Sequence, residues 1–108
     1  MLTIDTLQFE KNAPAMRWQC RMEMTLDGED FTVSIIAGPF CYSTPRELLD
    51  DWRDYTTMEM AIMKIQDNGE VTYNDENFRE NSDVLTYRSL EEILTILNEG
   101  SVYEYSSI

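Results

Sequence analysis

Apolar and polar residues alternate along the longest regular stretch of the chain, residues 16–26. Met, Trp, Cys and Leu side chains occupy the even positions, and charged or polar side chains occupy the odd positions. A period of two over this length predicts a β-strand with one face on a core and the other in solvent. Asp27-Gly28 is a strong hairpin-turn signal, and residues 31–35 resume the alternation after it. The pattern therefore predicts a β-hairpin.

The turn also predicts the register of this hairpin. A two-residue loop at 27–28 places apolar residues opposite one another in three successive pairs: Cys20–Ile35, Met22–Val33 and Met24–Phe31. A shift by one residue would set apolar side chains against polar ones, so this register is the one that buries a single face.

Further strands are predicted on either side of the hairpin. Residues 2–9 form a strand with a bulge or an end near Thr6, because the apolar parity changes there. Residues 57–65 alternate like a strand, although their Met, Glu and Ala residues are also good helix formers. Asn68-Gly69 favours the strand, since it is a hairpin turn and the alternation continues at Val71 and Tyr73.

Two amphipathic helices are predicted from their start signals. Thr44 can cap a helix over residues 45–55, with Pro45 in the first helical position and Glu47 completing a capping box. Ser89 and Glu92 form a second capping box, before a helix that Gly100 would end. Both segments place apolar residues at helical spacing on one face.

These elements predict a single α+β domain over residues 1–108. Residues 84–87 add a short strand, residues 102–105 add a last edge strand, and residues 74–83 form a polar loop. The expected architecture is an antiparallel sheet of about 5–6 hairpin-linked strands with two amphipathic helices packed on it.

Charge changes the picture from an ordinary domain to one with an unusual surface. The chain has 108 residues, with 21 Asp and Glu against 8 Lys and Arg, for a formal net charge of −13. A charge this large opposes compaction by self-repulsion. We therefore expect that its function is to attract a positively charged partner. Direct binding of nucleic acid is disfavoured, because phosphate neutralisation needs a basic patch.

Catalytic chemistry is largely excluded by what the chain lacks. It has no His, which removes the usual general base and catalytic triads, and its four Gly are too scattered for a phosphate-binding loop. Cys20 and Cys41 lack the spacing of a redox or zinc pair and are expected to be buried. Acidic clusters such as Asp50-Asp51 with Asp54 leave a Mg²⁺ or Ca²⁺ site open in principle. We expect no enzyme activity, no cofactor and no metal site.

The candidate binding residues are acids grouped in two places. On the predicted helix 45–55, acids at helical spacing line one stripe: Glu47, Asp50, Asp51 and Asp54. The loop 74–83 adds further acids and one aromatic anchor: Asp75, Glu76, Phe78, Glu80 and Asp83. Neighbouring side chains on a helix lie about 5–6 Å apart, while phosphates advance about 3.4 Å per nucleotide. Such a surface presents charge at a density close to that of a duplex edge.

In size, charge and lack of catalytic groups, the chain resembles the DNA-mimic inhibitors that phages use against host defence, including anti-CRISPR and anti-restriction proteins. It carries no family motif. The expected function is to bind and inhibit a basic nucleic-acid-binding protein or nuclease. Two alternatives stay open: an immunity protein that neutralises a cognate toxin, and a non-catalytic subunit of a larger assembly.

No secretory signal and no long apolar run are present, so we expect a cytoplasmic protein, in the host cell cytoplasm if a phage encodes it. The partner's identity and the oligomeric state stay open.

Overall fold

A computed structural model describes residues 2–26, 29–65, 67–69, 71–73 and 84–98. Within these ranges the chain forms one antiparallel sheet and one α-helix. The strands and the helix, in chain order, are β1 (Glu10–Asn12), β2 (Arg17–Leu26), β3 (Glu29–Ala37), β4 (Met58–Ile65), β5 (Val71–Tyr73), β6 (Val84–Arg88) and α1 (Leu90–Asn98). Short 3₁₀ turns occupy Ile4–Thr6 and Trp52–Asp54.

Five strands follow one another across the sheet in the order β1-β2-β3-β4-β5, and β6 also pairs with β4. Strands β5 and β6 share one edge of β4, since β5 pairs with its end at 63–65 and β6 with its beginning at 58–61. The described part is thus mainly β with a helix. It is α+β in general, but it does not contain the two packed helices that the sequence predicted.

The first hairpin has the predicted register. All three predicted apolar pairs are observed between β2 and β3: Cys20–Ile35, Met22–Val33 and Met24–Phe31. The second hairpin, between β4 and β5, and the strand at 84–87 are also confirmed.

A single hydrophobic core covers one face of the sheet. One row of buried side chains crosses four strands, in the order Cys20, Ile35, Met60 and Leu85. Helix α1 adds Ile93 and Leu97 to the same cluster.

The capping box predicted at the start of α1 is present. The backbone N–H of Glu92 donates to Ser89 Oγ at 3.2 Å, and the backbone N–H of Ser89 donates to Glu92 Oε1 at 3.5 Å. These reciprocal bonds satisfy donors that the first helical turn leaves without a partner.

The helix predicted over residues 45–55 is wrong. Thr44 pairs with Thr57 in an isolated β-bridge instead of capping a helix, and the Thr44–Pro45 peptide bond is cis. Only the 3₁₀ turn at Trp52–Asp54 is helical. Hydrogen bonds from the Trp18 and Tyr55 side chains occupy backbone groups of Glu47 and Leu49 that a helix would have paired. These bonds outweigh the local capping signals.

The strand predicted over residues 2–9 is also wrong, because this segment makes hydrogen bonds to α1 and within itself. Thr6 Oγ1 accepts a hydrogen bond from the Thr3 N–H and donates one to the Thr3 carbonyl, which closes the 3₁₀ turn. The Asn98 side chain binds both backbone groups of Leu2. The first strand of the sheet is instead β1, at Glu10–Asn12.

Three predictions lie outside the described residues. They are the turn at 27–28, the polar loop at 74–83, and the chain end from Gly100 through the edge strand at 102–105.

Candidate protein-binding surfaces

Acidic side chains in the described part of the chain face solvent. Twelve are described; ten are exposed, and Asp51 and Glu59 are half-buried. Three surface ion pairs engage some of them: Lys11–Asp50, Arg53–Asp51 and Arg88–Glu92. Exposed pairs of this kind contribute little to stability and leave the carboxylates accessible. The negative charge is therefore available to a partner.

Residues 46–54, which we call the acidic loop, are held by bonds from two aromatic side chains. Trp18 Nε1 donates to the Leu49 carbonyl at 2.8 Å. The Tyr55 hydroxyl accepts from the Leu49 N–H at 3.0 Å and donates to the Glu47 carbonyl. Burial raises the pKa of Tyr55 above its ordinary value, and the Leu49 bond opposes this shift. The loop thus has a defined path without being helical.

The four acids predicted on helix 45–55 all lie on this loop. Glu47, Asp50 and Asp54 are exposed, and Asp50 pairs with Lys11 at 3.8 Å. Asp51 has a local structural role, because its carboxylate accepts from the Arg53 N–H at 2.9 Å and begins the 3₁₀ turn. Because the segment is not a helix, these acids lie close in sequence but do not form the predicted helical stripe with its spacing of about 5–6 Å. The other predicted acids and Phe78, at positions 75–83, lie outside the described residues.

A second surface, which the sequence did not predict, is aromatic. Phe40, Tyr42 and Tyr87 are 75%, 49% and 46% exposed, and the rings of Tyr42 and Tyr87 meet edge to face with centroids 5.9 Å apart. The Arg46 guanidinium lies over the Tyr42 ring, 5.2 Å from its centroid. We call these four residues the aromatic surface. Tyr and Arg are the residue types enriched at the energetic centres of interfaces.

Hydrogen bonds fix the aromatic surface to the sheet. The Tyr87 N–H donates to the Tyr42 carbonyl at 3.1 Å, and the Tyr42 N–H donates to Glu59 Oε1 at 3.0 Å. Tyr87 has a φ of 52°, in the left-handed region that non-glycine residues rarely adopt. Hydrogen bonds therefore connect the backbone of this exposed patch to the sheet.

Alternation in the segment that follows β3 was the only sequence signal for this surface. Buried Cys41 and Ser43 alternate with exposed Phe40 and Tyr42. The Ser43 hydroxyl accepts from the Gly38 N–H at 3.1 Å and donates to the Pro45 carbonyl at 3.0 Å, and these bonds leave the intervening aromatics facing outward. Four residues are too few for a period to stand out, and Tyr87 joins the patch only through the fold.

The cysteines are unsuited to nucleophilic chemistry. Cys20 and Cys41 are each 2% exposed. Burial raises the pKa of both thiols; for Cys41 the Glu59 carboxylate adds to the shift, while Arg17 and Arg46 oppose it. Thiols in such surroundings are poor nucleophiles.

Two further results concern the described residues alone. They contain no group of three or more His, Cys, Asp or Glu side chains placed to hold a metal ion. They also contain no helix with the length and apolar character needed to cross a bilayer.

Comparisons with known proteins add no assignment: no family model, no curated protein and no solved structure matches the chain.

Proposed function

We propose that this chain is a non-catalytic inhibitor that binds a basic nucleic-acid-binding protein or nuclease in place of its nucleic acid. In this proposal it acts as a DNA or RNA mimic, as an anti-CRISPR-like protein of a phage would in the host cytoplasm. It requires no cofactor and no metal ion. The observation that carries the proposal is the net charge of −13 together with the solvent exposure of the described carboxylates.

Electrostatics accounts for how such a protein would find its target. A surface of one sign raises the association rate with an oppositely charged groove by roughly 10–10³-fold, and this advantage falls as salt is added. Glu47, Asp50 and Asp54 support this role because their loop is anchored to the fold while their side chains are exposed. The acids Asp75, Glu76, Glu80 and Asp83, with Phe78 as an anchor, belong to the same proposal.

The proposal is tested by capture of partners from a bacterial lysate at low and high salt, with mass spectrometry of what is bound. We expect a nucleic-acid-binding protein that is released by salt. Partners that stay bound at every salt concentration and have no nucleic-acid function would contradict the proposal.

Variants then test the acidic loop. In the test variant, Glu47→Gln, Asp50→Asn and Asp54→Asn remove three charges. In the matched control, Asp5→Asn, Asp67→Asn and Glu91→Gln remove the same number from exposed positions elsewhere. The test variant should associate with the captured protein about tenfold more slowly, and the control should change much less. Equal rates for wild type and both variants would rule out charge as the basis of binding.

A second candidate function, a non-catalytic subunit of a larger assembly, is favoured by the aromatic surface. Exposed aromatic side chains that cluster on a fixed base are typical of a lasting interface. Phe40→Ser and Tyr87→Ser should then abolish a salt-resistant complex, whereas the acidic-loop variant should leave it intact. If the captured complex is salt-sensitive and survives both substitutions, the subunit function is refuted.

A further inference from the structure

Among the described residues, a strand pairs with the outer edge of β2 over only part of its length. Strand β1 pairs with β2 at residues 17–19. Beyond that point, residues 21–24 have no strand opposite them on this side among the described residues. A strand edge that no other strand pairs with presents backbone N–H and C=O groups, which makes it a template for another strand.

The side chains on this edge have an order that suits one kind of partner. Arg21 and Glu23 are exposed and carry opposite charges, with half-buried Met22 between them. Arg21 and Glu23 point to the same face of the sheet, because side chains two positions apart in a strand share a face. The Arg21 side chain makes no hydrogen bond or ion pair with any residue that the structure describes, while Glu23 Oε1 accepts from the Thr32 hydroxyl at 3.1 Å.

We propose that a second copy of this chain adds to this edge, with its own β2 antiparallel and a two-fold axis at Met22. In that arrangement Arg21 lies opposite Glu23 of the second copy, and Glu23 lies opposite its Arg21. Oppositely charged cross-strand pairs stabilise a sheet, and like pairs destabilise it. An axis moved to Arg21 or to Glu23 would set two like charges against each other. The edge is therefore self-complementary in one register, as a two-fold interface requires.

Net charge opposes this dimer, and the salt dependence of dimerisation therefore distinguishes it from binding to a basic partner. Two copies at −13 each repel one another, and salt screens this repulsion over the Debye length of about 8 Å at physiological ionic strength. The dimer should become tighter as salt is raised. Binding to a basic partner should become weaker over the same range, so the two associations are told apart in one titration.

The experiment is sedimentation equilibrium across a wide dilution series at two salt concentrations. Wild type is compared with Arg21→Glu, with Glu23→Arg and with the double exchange. Each single variant sets like charges opposite each other and should weaken the dimer about tenfold. The double exchange restores opposite pairs and should restore the wild-type dissociation constant.

A control separates this pairing from net charge. Glu23→Arg and Glu91→Arg both reduce the charge from −13 to −11. Simple repulsion predicts that both variants dimerise more tightly, whereas the proposed pairing predicts weakening for Glu23→Arg alone. Melting temperatures of all variants check that the loss of the Thr32 bond has not unfolded the chain.

The proposal is overturned if the chain is monomeric at every concentration and salt, or if the single variants dimerise as well as wild type. No nucleic-acid-binding protein enters this experiment, so its result is independent of the proposed function.

Discussion

The substitution Tyr55→Phe tests how the acidic loop is held. The Tyr55 ring is 6% exposed, and its hydroxyl bonds the backbone of both Leu49 and Glu47. Phenylalanine keeps the ring and removes both bonds. At about 0.5–1.5 kcal/mol for each hydrogen bond, the expected loss of unfolding free energy is about 1–3 kcal/mol. At this chain length that lowers the melting temperature by about 4–12 °C.

Thermal and urea unfolding of Tyr55→Phe measure this loss. Tyr42→Phe is the matched control, because Tyr42 is 49% exposed and its hydroxyl bonds none of the described residues. We expect no change in the control. An unchanged melting temperature for Tyr55→Phe would contradict a stabilising role for these two bonds, since it is the result expected of a residue on the apolar face of a helix.

The same residue predicts how stability depends on alkaline pH. Burial raises the pKa of folded Tyr55 above the ordinary value of about 10. The protonated hydroxyl therefore stabilises the fold below pH 10, and this contribution is lost as the pH rises through the folded pKa. Stability of wild type should fall above pH 10 by more than that of Tyr55→Phe. Parallel pH profiles for the two proteins would contradict this assignment.

Three further predictions concern the core, the helix cap and the thiols. Ile35→Ala empties a fully buried position and should cost about 2–5 kcal/mol in urea unfolding; a loss below 1 kcal/mol would contradict the central place of β3. Ser89→Ala removes the cap of α1 and should cost about 1 kcal/mol, whereas Ser89→Asp should restore most of it. Cys20 and Cys41 should react with iodoacetamide only in denaturant, and rapid labelling of the native protein would contradict their burial.

Local patterns predicted the elements whose signals agree with the tertiary structure. The register of the first hairpin followed from a turn and an alternation that point the same way, and the cap of α1 followed from Ser89 and Glu92. Predictions failed at Thr44, because a residue that can cap a helix is equally able to form a β-bridge, here with Thr57. The bond from Trp18 to the acidic loop joins residues 31 positions apart, and the two bonds from Tyr55 span six and eight positions. The spacing of apolar residues along the chain does not indicate such bonds.

Of the two candidate surfaces, one was predictable from the sequence and the other was not. Exposure of Glu47, Asp50 and Asp54 was predictable, because carboxylates are almost never buried without a partner. The aromatic surface was not, since Tyr42 and Tyr87 come together only when β6 reaches the segment after β3. Composition therefore predicted an acidic surface, while the structure was needed to locate the exposed aromatic side chains.

Competition on the captured partner tests whether the chain takes the place of nucleic acid. Labelled nucleic acid is bound to that protein at low salt, and the chain is titrated in while fluorescence anisotropy is recorded. We expect displacement of the nucleic acid at one chain per binding site, with no chemical change to the partner, and an affinity that falls as salt is raised. Formation of a ternary complex that keeps the nucleic acid bound would contradict it.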